Sequence, residues 1–329
     1  MPHNVALLGY TQQGFSRIEA DFHASALVTS VTYGSCQLPS QFVQGRGGIL
    51  LNSVQIGTPL VRGVPLLCVS DLTVQYAANA SHDPALRQIK LEINNGEIVG
   101  ILGESGCGKS TLALAILGLL PKGTRVDGSI NFRSEDLTAL SETALRKIRG
   151  AKISLIHQEP GSSLSPVMRV GKQISEVLRA HTKFSDSDRK EQIQAVLSEI
   201  GLCDFDRIYN AYPHQLSGGE LHRIAIAQAL VCGPELLVAD EATRSLDVAL
   251  QLEILHLLRE INQKRGSALV FITHDPMLLA GFADRCLVMH AGEVVEDGII
   301  NDVLRSQRHR YTRTLRASAT EPCHAVQEA

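Results

Sequence analysis

Gly103-Glu104-Ser105-Gly106-Cys107-Gly108-Lys109-Ser110 decides how the rest of the chain is read. It fits G-x-x-x-x-G-K-[ST], in which glycines let the backbone curl until successive N–H groups face a phosphate chain. The flanks suit that pattern. Before it, Glu97-Ile98-Val99-Gly100-Ile101-Leu102 is a short apolar run that predicts a strand buried on both faces. After it, Ser110 to Leu120 is apolar almost all round and predicts a buried helix, whose N-terminal dipole adds to the anion site. Lys109 is placed to reach the β and γ phosphates, the Ser110 hydroxyl to ligate Mg²⁺, and Thr111 follows on the helix. Cys107 lies inside the loop beside a lysine and a helix N-terminus, a setting that can activate a thiol. Any small residue fits there too, and that plainer role is the expectation.

Upstream, Leu67-Cys68-Val69, Leu72 to Tyr76 and Leu86 to Ile93 read as strand, with Asn94-Asn95-Gly96 as a turn. Downstream, residues 160 to 230 are helix-prone, and Ile193, Val196, Leu197 and Ile200 share one helical face. Leu216-Ser217-Gly218-Gly219-Glu220 leaves backbone N–H groups open just before a helix predicted over Leu221 to Val231, a second place suited to an anion. The apolar run from Leu236 to Ala239 then ends in two adjacent carboxylates, Asp240 and Glu241, as in a strand that delivers a metal ligand and a general base to one end of a sheet. Strand-like runs at 235–239 and 268–273 alternate with a helix at 248–264, which implies a parallel sheet in an α/β fold.

Composition narrows the function classes. A net charge of −3 gives no basic surface for bulk nucleic-acid binding, and 4% aromatics without Trp leaves no base-stacking platform. No apolar run approaches the roughly 18 residues of a membrane span. No Lys or Arg precedes Arg17, and no compact apolar core follows, so no secretory leader is expected. The seven cysteines are scattered and never spaced as CxxC, which predicts reduced thiols, with neither disulfides nor structural zinc. Residues 1 to 63 are rich in Ser, Gln, Gly and Thr without a sustained period and are expected to be a poorly ordered extension, or the product of a start assigned too far upstream.

The ordered set GESGCGKS, Gln158, LSGGE, LLVADE, SLD and His274 resembles the nucleotide-binding subunit of an ABC transporter over roughly residues 66 to 318. The resemblance implies a P-loop NTPase cassette with a RecA-like core, an antiparallel β subdomain and a helical signature subdomain near residues 160–230. The cassette would span 64–318, followed by a tail over 319–329. It implies ATP and Mg²⁺ as ligands. Gly103, Glu104, Ser105, Gly106, Cys107, Gly108, Lys109, Ser110 and Thr111 would hold the phosphates and Tyr76 would stack on adenine. Ser110, Gln158 and Asp240 would hold Mg²⁺. Glu241 would be the general base, His274 would contact the γ-phosphate, and Gln158 would also sense the attacking water. Ser217, Gly218, Gly219 and Asp247 would serve the facing nucleotide and the dimer interface. The implied partners are a second ATPase subunit, identical or paralogous, two integral membrane permease subunits and, indirectly, an extracytoplasmic solute-binding protein. Nucleic acid is not among them. The expected location is peripheral, on the cytoplasmic face of the membrane.

Three stretches resemble the dipeptide, oligopeptide and nickel importer group. Ser162 to Met168 is similar to its TSLNPVM segment, Tyr212-Pro213-His214-Gln215 to its YPHxLSGG, and Arg310 to Leu315 to its PYTxxLL, with Arg310 in place of the Pro. Only Cys323 stands where many members carry several cysteines, so no iron–sulfur cluster is expected. Two letters depart from the family at the acidic strand end. Ala242 replaces a Pro and should loosen the turn modestly. Arg244 replaces a small hydroxyl residue and is expected to be a rim charge, or to meet an acid on a partner subunit. A soluble ABC-type ATPase of DNA repair or translation is the alternative, although the stretch between phosphate loop and signature is ordinary and cysteine-poor, and only one cassette is present. A regulatory module that binds ATP without turnover fits less well with Glu241 and His274 in place.

Overall fold

Nine residues of extended chain open the described part, β1 (Leu67–Gln75), followed by β2 (Leu86–Ile93) and β3 (Ile98–Leu102). A computed structural model describes residues 64–77, 83–159 and 163–320. The N-terminal extension, Ser162, Cys36, Cys323 and the chain beyond 320 lie outside the described residues. After β3 come α1 (Lys109–Ile116), β4 (Arg125–Phe132), β5 (Glu135–Asp136), α2 (Glu142–Ile148) and β6 (Ile153–Ile156). Four helices follow: α3 (Val170–His181), α4 (Asp186–Glu199), α5 (Phe205–Asn210) and α6 (Gly218–Leu230). The last part runs β7 (Leu236–Asp240), α7 (Val248–Arg265), β8 (Ala268–Thr273), α8 (Pro276–Leu279), β9 (Arg285–His290), β10 (Glu293–Ile299), α9 (Ile300–Ser306) and α10 (Arg310–Thr320). No described helix is long and apolar enough to cross a membrane.

The described strands form two sheets. One is antiparallel, in the order β2-β1-β4-β5. The other runs β10-β9-β3-β8-β7-β6, parallel from β9 to β6, with β10 turned back antiparallel on β9. Every residue of β3 and β8 is buried, which is why their sequences show no alternation. Side chains still alternate between two cores. Ile98, Leu102, Leu237 and Phe271 join a cluster with Ile174, Ile193, Ile224 and Ile254 from the helices. Val99, Ile101, Val238 and Val270 join another with Leu112 and Ile116 of α1 and Val69, Ile89 and Phe132 of the antiparallel sheet. The parallel sheet is therefore covered on both faces, and β3, β7 and β8 all end toward the same edge, where the phosphate loop begins.

Two boundaries differ from the sequence reading. The buried helix expected to Leu120 closes at Ile116, because Gly118 turns left-handed at φ 61°. The signature helix begins at Gly218 rather than Leu221, because Ser217 caps it and draws both glycines into the first turn.

Candidate active site

The phosphate loop leaves β3 and enters α1 through Gly108, whose φ of 109° is outside the range that side chains readily adopt. Gly103 faces a second constraint: a Cβ there would lie 2.4 Å from the Met289 carbonyl oxygen. Lys109 is 5% exposed, and its Nζ donates to the carbonyls of Gly103 and Glu104, each at 2.8 Å. The ammonium is thus held under the curled loop, while the first turn of α1 presents amides that have no partner within the helix. Cys107 is also buried, and burial pushes its thiol pKa up despite Lys109 Nζ 3.9 Å away, which disfavours the thiolate.

Asp240, the last residue of β7, has the Ser110 hydroxyl nearby, and burial raises its pKa. Its Oδ1 is buried with no hydrogen-bond partner. A hydroxyl and an unsatisfied carboxylate oxygen side by side form a hard-oxygen pair suited to Mg²⁺. The residues present therefore fit the metal.

Glu241 follows in the left-handed region at φ 47°, with its amide bonded to the Ile272 carbonyl at 3.0 Å. This conformation turns its carboxylate back over the strand end. One oxygen lies 3.3 Å from His274 Nδ1, and the other accepts from Arg244 NH1 at 2.7 Å. Burial alone would raise the Glu241 pKa, but the bonds from Arg244 and His274 outweigh it and hold the carboxyl below the usual range. Arg244 is accordingly not a free rim charge in this chain. It pairs in cis with Glu241, because a turn closed by Arg244 N–H to the Glu241 carbonyl at 3.0 Å brings positions three apart together. Ala242, at 2% exposure, is packed within that turn, and Gln251 Nε2 bonds the Thr243 carbonyl at 2.9 Å.

These elements border one open cleft of about 420 Å³. Its lining includes Tyr76, Ser105, Gly106, Gly108, Lys109, Ser110, Thr111, Gln158 and Glu241 from the sequence reading, and adds Ala85 and Arg244. The Tyr76 hydroxyl donates to Thr111 Oγ1 at 3.1 Å, which fixes the ring at the cleft's edge. Asp240 and His274 adjoin these residues through Ser110 and Glu241 without being part of the lining, and Ser217, Gly218 and Gly219 are not part of it either. The last three form the first turn of α6, where Ser217 and Glu220 cap each other and Arg207 NH2 holds Glu220 at 2.5 Å. Asp247 caps α7 by accepting from Leu250 N–H at 3.0 Å.

The ABC transporter family matches residues 86–244, a window that contains the phosphate loop, Gln158, the α6 cap and the Asp240-Glu241 pair. A probable peptide ABC transporter ATP-binding protein of Sinorhizobium fredii is 42% identical over 258 residues, 78% of this chain and 77% of that protein. The chain belongs to the ABC transporter family, among its ATP-binding proteins. Two further relatives of this ABC ATPase are a dipeptide transport ATP-binding protein of Haemophilus influenzae, 41% identical over 78% of each chain, and an oligopeptide transport ATP-binding protein of Bacillus subtilis, 40% identical over 79% of this chain and 73% of that one. Among solved structures, the dimeric ATP-binding cassette MJ0796 bound to ADP and Pi aligns with a TM-score of 0.63 at 30% identity, covering 71% of this chain and 98% of that chain. The ABC cassette fold is thus shared, and membership among the transport ATP-binding proteins favours a transport ATPase over the soluble alternative.

Two contacts of this ABC cassette escaped the sequence reading. The spacing of Arg244 from Glu241 was visible, but the pairing depends on the left-handed Glu241. The second is the Tyr311 hydroxyl, which accepts from the Glu104 amide of the phosphate loop at 2.9 Å.

Proposed function

We propose that the chain binds Mg·ATP in the cleft and hydrolyses it to drive import of a peptide or similar small solute through two separate membrane permease subunits. The observation that carries this is the convergence of Lys109, the Ser110–Asp240 pair and the Glu241–His274 pair at one edge of the parallel sheet. Lys109 would exchange its two carbonyl acceptors for β and γ phosphate oxygens, so its charge is stored at the site with the loop already curled. Ser110 and Asp240 would hold Mg²⁺, with Gln158 at the cleft's rim. When bound, the metal supplies a Lewis acid that neutralises phosphate charge. Glu241 would orient the attacking water and take its proton, His274 would steady that carboxylate and meet the γ-phosphate, and Tyr76 would stack on adenine.

The capped first turn of α6 stands apart from the cleft of its own chain. Ser217, Gly218 and Gly219 would therefore complete the site of a facing subunit, with Asp247 near the same interface, as a dimer closes on ATP. The relatives' names include peptide, dipeptide and oligopeptide transport, which supports a peptide-like solute. The chain would then work at the cytoplasmic face as a peripheral subunit, with an extracytoplasmic solute-binding protein delivering cargo.

The test is reconstitution with candidate membrane permease subunits from the same cell. Stimulated ATP hydrolysis and ATP-dependent peptide uptake into proteoliposomes are expected. Stable association with ribosomes or DNA in place of membrane subunits would overturn the transport assignment.

A further inference from the structure

The C-terminal helix α10 is pinned at its start by a single side chain of another element. Glu296 of β10 accepts from Arg308 N–H at 3.2 Å, His309 N–H at 3.3 Å and the Thr312 hydroxyl at 2.6 Å. Thr312 is 1% exposed, and Tyr311 and Leu315 are buried in the helical core cluster. So anchored, Tyr311 lays its ring on His290 at the end of β9, with centroids 4.0 Å apart, and directs its hydroxyl at the phosphate loop.

The bond it makes there falls on one particular peptide unit. The N–H of the Gly103–Glu104 peptide donates to Tyr311 Oη at 2.9 Å, while the C=O of the same peptide accepts from Lys109 Nζ at 2.8 Å. Gly103 also faces the Met289 carbonyl, which leaves no room for a Cβ there and is next in sequence to the histidine on which Tyr311 rests. Hydrogen bonds at both ends of one peptide polarise each other and fix its plane. We propose that Tyr311 is a positioning residue of the nucleotide site: by holding the Gly103–Glu104 peptide it sets the curl of the phosphate loop and the resting place of Lys109. The C-terminal helix, outside the family-matched residues 86–244, then belongs to the ATP-binding machinery. This gives a task to the Arg310–Leu315 stretch, which the hydrolytic chemistry leaves unused. The proposal rests on the loop binding ATP.

The test compares the full-length chain with its Tyr311→Phe variant, which keeps the ring on His290 and removes only the acceptor. Binding of Mg·ATP by wild type is measured first, by equilibrium titration with a fluorescent ATP analogue. If wild type does not bind, the ATP assignment fails, and this proposal with it. With wild-type binding established, Tyr311→Phe is expected to weaken Kd by about 3- to 10-fold, the worth of one hydrogen bond. KM for ATP should rise more than kcat changes, as for a residue that organises binding. Hydrogen exchange should quicken at Gly103–Gly106 and stay as in wild type across β8. A Tyr311→Phe chain with wild-type Kd and KM would overturn the proposal even if it melts lower, since the bond would then only fasten α10. Unprotected exchange at the Glu104 amide of the nucleotide-free wild type would overturn it without any variant.

Discussion

At the residue scale, the Glu241 carboxylate is held by two neighbours, Arg244 and His274. Its carboxyl titrates below the usual 4.5 because bonds from Arg244 and His274 outweigh burial. A depressed carboxylate adds stability above its unfolded pKa and loses it as pH falls through the folded one. With Arg244 half exposed, the pair contributes less than about 1 kcal/mol, so Arg244→Ser should barely move the melting temperature. Its effect on turnover should be clearer. Glu241 must be ionised to act as base, so the acid limb of the kcat/KM profile should move to higher pH in Arg244→Ser. An unmoved limb would show that the pair does not persist in the working enzyme. Cys107 gives a second residue-scale expectation. Burial raises its thiol pKa, whereas Cys203 is exposed, so iodoacetamide at neutral pH should label Cys203 well before Cys107 by peptide mapping. Faster labelling of Cys107 would contradict the buried loop.

At the scale of elements, the phosphate loop depends on two glycines for different reasons. Gly108 supplies a left-handed turn, and Gly103 supplies room. Gly103→Ala would set a Cβ 2.4 Å from a backbone carbonyl, which no side-chain rotation relieves. It should cost about 1–3 kcal/mol in chemical denaturation and weaken ATP binding with it. Ser217→Ala should cost about 1 kcal/mol through loss of the α6 cap, read as a lower melting temperature of the isolated chain. Strand β3, the loop and α1 were legible in the sequence because their signals are local: an apolar run, four fixed letters and an apolar helix. The end of α1 was misplaced although Gly118 marks it, and the start of α6 was misplaced because a capped turn and a helical first turn share the letters SGG. The Glu241–Arg244 pair was hidden because it depends on a backbone angle, and the Tyr311–Glu104 bond because its partners stand 207 residues apart.

At the scale of the whole molecule, the alternation of strands and helices announced a parallel sheet, but not its order. The sequence of strands β9-β3-β8-β7-β6 is set by pairings between segments far apart, which periodicity does not encode. That order places the ends of β3, β7 and β8 side by side, so Lys109, Asp240, Glu241 and His274 meet although they come from separate motifs. The α6 cap lies outside this meeting point, so the account requires a second subunit to complete it. The central claim is that the cleft hydrolyses ATP with Glu241 as base, and the most direct test is steady-state Mg·ATP turnover of wild type beside Glu241→Gln, with ATP binding measured on both. The account predicts that Glu241→Gln binds ATP and loses turnover by about a hundredfold or more. Turnover by Glu241→Gln at the wild-type rate would contradict it.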